Sequence, residues 1–348
     1  MKFVAASTRL LSLGLLANVI LVTAGASTAQ AQAQSKAQVS TDARQTVCTI
    51  TINSTEERET FQKSLDPAKF KFVELTSFDG GVKTADRAQS PWFENACKAK
   101  VQCDMLVVSA HFGGIFFGSS GYQIPIDTLE QNSCSSSCDG ILRKPKEVFL
   151  FGCNTLAAKE KDARTQDQYA QVLVEHGLDR AQADRIAETR YGAVGATFKD
   201  RMRRIFDRTP HIYGFSSISP SGANVRPALR RYFSSVPDYA NHLRTDINPA
   251  VPNQAFNEAL SGTSSAQTSG VSTTSGDVGV SFRKKICSAY DESLTVLQRT
   301  QIVADMLMGP DRLIYLNSAV AFLNRIVFYA KLETTSNAVL KKIANDPE

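Results

Sequence analysis

Two short apolar runs restrict this chain more than any other feature. Met105-Leu106-Val107-Val108-Ser109-Ala110 leads into His111 and Phe112-Gly113-Gly114, and Val148-Phe149-Leu150-Phe151-Gly152 leads into Cys153 and Asn154-Thr155. Continuous runs of this length, rich in Val and Phe and bounded by turn residues, fit strands buried on both faces. Such strands belong to a parallel sheet covered by helices, so the expected fold class is α/β, a three-layer sandwich with a mostly parallel sheet. Reacting groups in open sheets of this kind collect beyond the carboxyl ends of the strands. His111 and Cys153 stand at those ends. On neighbouring strands they face one crevice, where the imidazole takes the proton of the thiol and leaves a nucleophilic thiolate.

An apolar strand followed by His and Gly, then a second apolar strand ending in Cys, resembles the caspase, legumain and gingipain group of cysteine peptidases, clan CD. The chain looks like a divergent, bacterial-type exported member. The resemblance implies a caspase-like fold, His111 as general base and Cys153 as nucleophile. It also implies an oxyanion hole made by backbone N–H groups of Cys153 and of Gly113 or Gly114. Phe112 departs from the pattern by separating His111 from the first glycine, and the caspase pentapeptide around the cysteine is absent. The strand after the cysteine unit lines the primary specificity pocket in that group, which makes Ser216 and Ser217 binding candidates. Asp162 and Arg164, in the charged stretch after Cys153, are candidates for selecting a charged substrate side chain.

The cysteines carry a separate argument. Lys2 and Arg9 precede the apolar run Leu10 to Ala24, and Ala29-Gln30-Ala31 offers a small-x-small cleavage site, the pattern of a secretory signal peptide over residues 1–31. No stable membrane insertion is expected after cleavage. An exported chain meets oxidising conditions, and seven cysteines leave one over. Cys153 is the natural odd one. Spacing suggests Cys97 with Cys103 and Cys134 with Cys138, leaving Cys48 for Cys287, with connectivity open. Half of a zinc site, from Cys134 and Cys138 with Cys97 and Cys103, is the lesser reading, so no metal or cofactor is expected.

The remaining 317 residues (348 minus 31) hold one sizeable core and a smaller unit. Residues 32–45 read as a flexible leader and 46–248 as the catalytic domain. Residues 249–280, increasingly dominated by Ser, Thr and Gly, read as a linker. Residues 281–348 show helical periodicity and read as a C-terminal helical region. Removal of Lys2 and Arg9 lowers the formal charge from +5 to +3, too little to argue for nucleic acid. The stretch Gly113 to Gly121 has the glycine spacing of a phosphate loop, but Ser119 occupies the lysine position. His176 ends a helix, His211 starts a strand, and His242 has no partner in the pattern, so His111 alone has a mechanistic setting. The function these features favour is a secreted cysteine endopeptidase acting on a peptide or protein. Rival readings are a non-catalytic exported binding module with the same fold, and a thiol acyltransferase.

Overall fold

The structure is a computed structural model that describes residues 43–158, 165–175, 177–181, 183–184, 187, 197–236, 238–245, 250–271, 278–309, 312, 315–316, 318–323 and 338. β1 (Gln45–Thr51) is rich in β-branched residues and buried along most of its length. α1 (Glu56–Ser64) follows with three acidic residues in its first turn, where the helix dipole favours them. Then come β2 (Phe70–Glu74), α2 (Trp92–Lys98) and β3 (Met105–Ser109). After β3 the chain forms a small antiparallel sheet from β4 (His111–Phe112), β5 (Ile115–Phe117) and β6 (Gln123–Pro125). α3 (Ile126–Asn132), α4 (Asp139–Leu142) and β7 (Glu147–Phe151) complete the first half.

The second half contains α5 (Gln166–Glu175), α6 (Phe198–Ile205) and β8 (His211–Phe215). α7 (Gly222–Ser235), α8 (Tyr239–Arg244), α9 (Ala250–Ala259) and β9 (Ser265–Thr268) follow. α10 (Val278–Ala289) and α11 (Val296–Leu307) follow, and the described residues at 315–316 and 318–323 are helical too. The main sheet has the order β2-β1-β3-β7-β8-β9. Its first five strands pair in parallel and β9 pairs antiparallel to β8.

Alternation along the strands divides the core into two layers. Cys48, Ile50, Leu106, Val108, Val148, Leu150 and Ile212 pack with residues of α2, α3, α4 and α6. Val47, Met105, Val107, Phe149, Phe151, Tyr213 and Phe215 pack with residues of α1, α7, α8 and α9. Helices therefore cover both faces, and the α/β three-layer expectation holds. A third apolar cluster joins α10 and α11 through Phe282, Ile286, Val303 and Met306, as the helical periodicity of that region requires.

Two expectations are corrected. Residues 249–280 are not a plain linker, because they contain α9 and the edge strand β9 of the main sheet. Phe256 anchors this stretch, its tilted ring 4.4 Å from that of Tyr213 in the core. The disulfides also differ: Cys48 pairs with Cys103, Cys97 with Cys138 and Cys134 with Cys287. Near neighbours in sequence lose to neighbours in space, since Cys48 lies within β1 and Cys103 two residues before its parallel neighbour β3. The bridges do leave Cys153 outside any disulfide. Three disulfides fit an oxidising compartment. Residues 1–42, with the expected signal peptide and most of the leader, lie outside the described residues, as do Asp162, Arg164 and His176. No described helix is long and apolar enough to cross a membrane.

Candidate active site

The site is built by the register of two strands. β3 and β7 are direct parallel neighbours, with Ser109 opposite Phe151. His111 and Cys153 each stand two residues further on, so both leave the same rim of the sheet. The Ala110 N–H donates to the Phe151 carbonyl at 3.0 Å, carrying the pairing one step past the strand ends. Gly152 shows how close the two chains come. A Cβ there would lie 2.8 Å from the Ala110 carbonyl oxygen and 3.0 Å from Phe112 Cβ, the residues on either side of His111. Only glycine lets the turn that carries the thiol pack against the turn that carries the imidazole.

After Gly152 the chain turns sharply. The Gly152 N–H bonds back to Leu150 O at 3.1 Å, and Asn154 adopts φ +63°. Asn tolerates this left-handed conformation better than most side chains. The turn is then fastened to the end of β8. The Asn154 N–H donates to Ser217 O at 2.7 Å and the Leu156 N–H to Phe215 O at 2.9 Å. Thr155 Oγ1 accepts from the Phe215 N–H at 3.1 Å. Cys153 itself stays half-buried. Its Sγ accepts the Ser219 N–H at 3.4 Å. A backbone donor aimed at sulfur stabilises the thiolate over the thiol.

His111 opens β4, which pairs with β5 so that His111 faces Phe117 in register; their rings lie 5.4 Å apart. Of the two glycines, Gly113 turns its N–H to Ile115 O at 3.3 Å, inside its own hairpin. Gly114 adopts φ +93° and its carbonyl accepts from Ile126 N–H at 2.9 Å. The glycine-rich stretch is thus a three-stranded hairpin structure, which short two- and three-residue strands conceal in the sequence. It does not form a strand–loop–helix phosphate cradle.

The serines after β8 reach the rim with a structural role. Ser216 gives both its N–H and its hydroxyl to Ser264 O, at 2.8 and 3.1 Å, and the Ser217 carbonyl holds Asn154. Ser219, which sequence reasoning passed over, touches the sulfur through its backbone. Pro220 after it marks a turn, but nothing in the sequence aims that turn at Cys153. Among the described residues no cluster of three or more His, Cys, Asp or Glu side chains has metal-binding geometry. The six cysteines of the alternative zinc and disulfide readings are all in bridges. His211 and His242 lie with Glu147 at the opposite, amino-terminal end of the sheet. Compared with known proteins, the chain matches no family model, no curated protein and no solved structure.

Proposed function

We propose that this protein is an exported cysteine peptidase in which Cys153 and His111 form a catalytic dyad. The observation that carries the reading is the placement of the unbridged thiol and the imidazole two residues past the paired Ser109 and Phe151, with Gly152 packed between Ala110 and Phe112. His111 takes the thiol proton, and Cys153 Sγ attacks the carbonyl carbon of a peptide bond, forming a C–S bond. Backbone N–H groups hold the oxyanion. With Gly113 engaged by Ile115, the Cys153 and Gly114 amides are the pair for that task. As the C–N bond breaks, His111 gives its proton to the leaving amine. Water then attacks the thioester, His111 accepts a proton from it, and the acid is released with the thiol restored. Oxyanion donors of this kind supply on the order of a few kcal/mol each.

The pattern of a signal peptide and the three disulfides support export. The test is trapping with a peptide carrying a thiol-directed electrophile, followed by mapping of the adduct. Modification should fall on Cys153, and Cys153→Ala should remove both the adduct and peptide hydrolysis while unfolding as the parent does. Labelling that ignores Cys153 in the native protein would overturn the reading.

A further inference from the structure

A second carboxyl lies beneath the same rim, and its hydrogen bonds can be counted. Glu57, in the first turn of α1, is only 4 % exposed. Its Oε2 lies 2.8 Å from Ser54 Oγ and 2.8 Å from Ser109 Oγ. Ser109 Oγ also lies 2.8 Å from the Ser54 carbonyl oxygen. A hydroxyl has one hydrogen to give. Against an ionised Glu57, Ser109 must leave one of its two acceptors unserved. A protonated Glu57 resolves the count: the acid donates to Ser109 Oγ, Ser109 donates to the Ser54 carbonyl, and Ser54 Oγ donates to the carboxyl. The same Ser109 accepts the Ile52 and Asn53 N–H groups at its carbonyl, at 2.9 and 3.1 Å. Ser109 thus ties the end of β3 to the end of β1, two residues before His111.

We propose that Glu57 is a positioning residue that works in its protonated form, locking Ser109 and with it the turn that presents His111, so that the site is competent on the acid side and loosens as Glu57 ionises. This rests on the peptidase reading of Cys153 and His111. The surroundings favour the neutral acid. Burial pushes the carboxyl above its usual range, outweighing the pull of Ser109, of its own backbone N–H and of Ser54, and the neighbouring Glu56 pushes the same way. From α7, Arg226 is engaged by Glu56 at 3.2 Å, and Arg58 of α1 by Glu74 of β2 at 3.3 Å. α7 also approaches closely at Gly222, where a Cβ would meet Glu56 Oε2 at 2.3 Å and Ser54 Oγ at 2.6 Å.

The experiment uses the full chain as wild type, E57Q and S109A. An amide at position 57 keeps a donor for Ser109 at every pH. The carboxyl carbon of Glu57, followed by NMR, should titrate above the ordinary carboxylate range. The rate at which a peptide electrophile labels Cys153, taken as wild type over E57Q, should fall with rising pH through that titration by on the order of fivefold, the worth of one net hydrogen bond. S109A should slow labelling without that pH dependence. A Glu57 titration in the ordinary range, or a ratio that is flat with pH, overturns the proposal. Absence of labelling in wild type at any pH would sink the peptidase reading instead. The Glu57 assignment would then still be decided by its titration and by unfolding. A raised folded pKa gives stability that is full below the unfolded value near 4.5 and lost as pH rises through the folded one. E57Q should lack that loss, and a shared profile would refute the assignment.

Discussion

Gly152 stands next to the thiol, and the space around it decides whether the site can form. A methyl group at this position would sit 2.8 Å from the Ala110 carbonyl oxygen, and 3.3 Å from Thr155 Cγ2. The backbone oxygen cannot swing aside as a flexible side chain would, so the His111 turn has to shift. Gly152→Ala should cost about 1–3 kcal/mol of stability, as other overpacked cores do, and slow labelling of Cys153 more than that loss alone explains. Thermal unfolding beside labelling kinetics on the folded protein measures both. A variant that unfolds like wild type and labels at full rate would show that the two turns do not meet as described. At this scale the sequence was legible where chemistry and pattern coincide. His111 and Cys153 announce themselves because each ends an apolar run in a turn. Ser219 and Glu57 do not, because one acts through its backbone N–H and the other through the Ser109 hydroxyl, brought near only by folding.

At the level of elements, the far end of the sheet holds a buried polar network that fastens α7 and α8 to β7. Glu147, the first residue of β7, is fully buried. It accepts from Tyr213 at 3.4 Å, from Tyr232 at 3.2 Å and from Tyr239, and bonds His242 Nε2 at 2.9 Å. Burial, then the Glu147 charge, holds all three tyrosines well above their usual pKa. His211 pairs with Glu147 in register and stacks on Tyr213. Burial lowers its pKa, with His242 acting in the same sense and Glu147 against it. A base whose folded pKa is depressed contributes stability that is present above the unfolded value, near 6.5, and lost as pH falls below it. His211→Phe should therefore flatten the acid side of the stability–pH curve below about 6.5, read by denaturant unfolding at several pH values. An unchanged acid slope would contradict this. None of the network was visible in the sequence, since Glu147 reads as a polar strand edge and α7 to α9 lack a clean apolar period. β9 hid for a related reason: it is a half-exposed edge strand of Ser, Ala, Gln and Thr, and needs no apolar run.

On the scale of the whole molecule, the bridges staple the layer beside α2 and tie the helical unit to the segment after α3. Cys48–Cys103 and Cys97–Cys138 are buried in the layer beside α2. Cys134–Cys287 closes a separation of 153 residues and ties α10 to the segment after α3. It borders a cleft of about 780 Å³ lined by Asn132, Asp207, Arg283, Lys284 and Tyr290, away from Cys153. Buried ion pairs join the same regions: Glu130 of α3 meets Arg201 and Arg204 of α6 at 3.1 and 3.4 Å, and accepts from Ser318 at 2.7 Å. The architecture thus leaves one thiol outside the bridges, on the same rim of the sheet as His111. The layered fold was legible because apolar strands and amphipathic helices obey short-range patterns, whereas disulfide partners depend on long-range register. The most direct measurement is the rate of Cys153 alkylation by iodoacetamide against pH, in wild type and His111→Ala. A thiol midpoint well below the ordinary ~8.5 in wild type, rising toward it when the imidazole is removed, is the predicted result. An ordinary midpoint unmoved by that substitution would contradict the account.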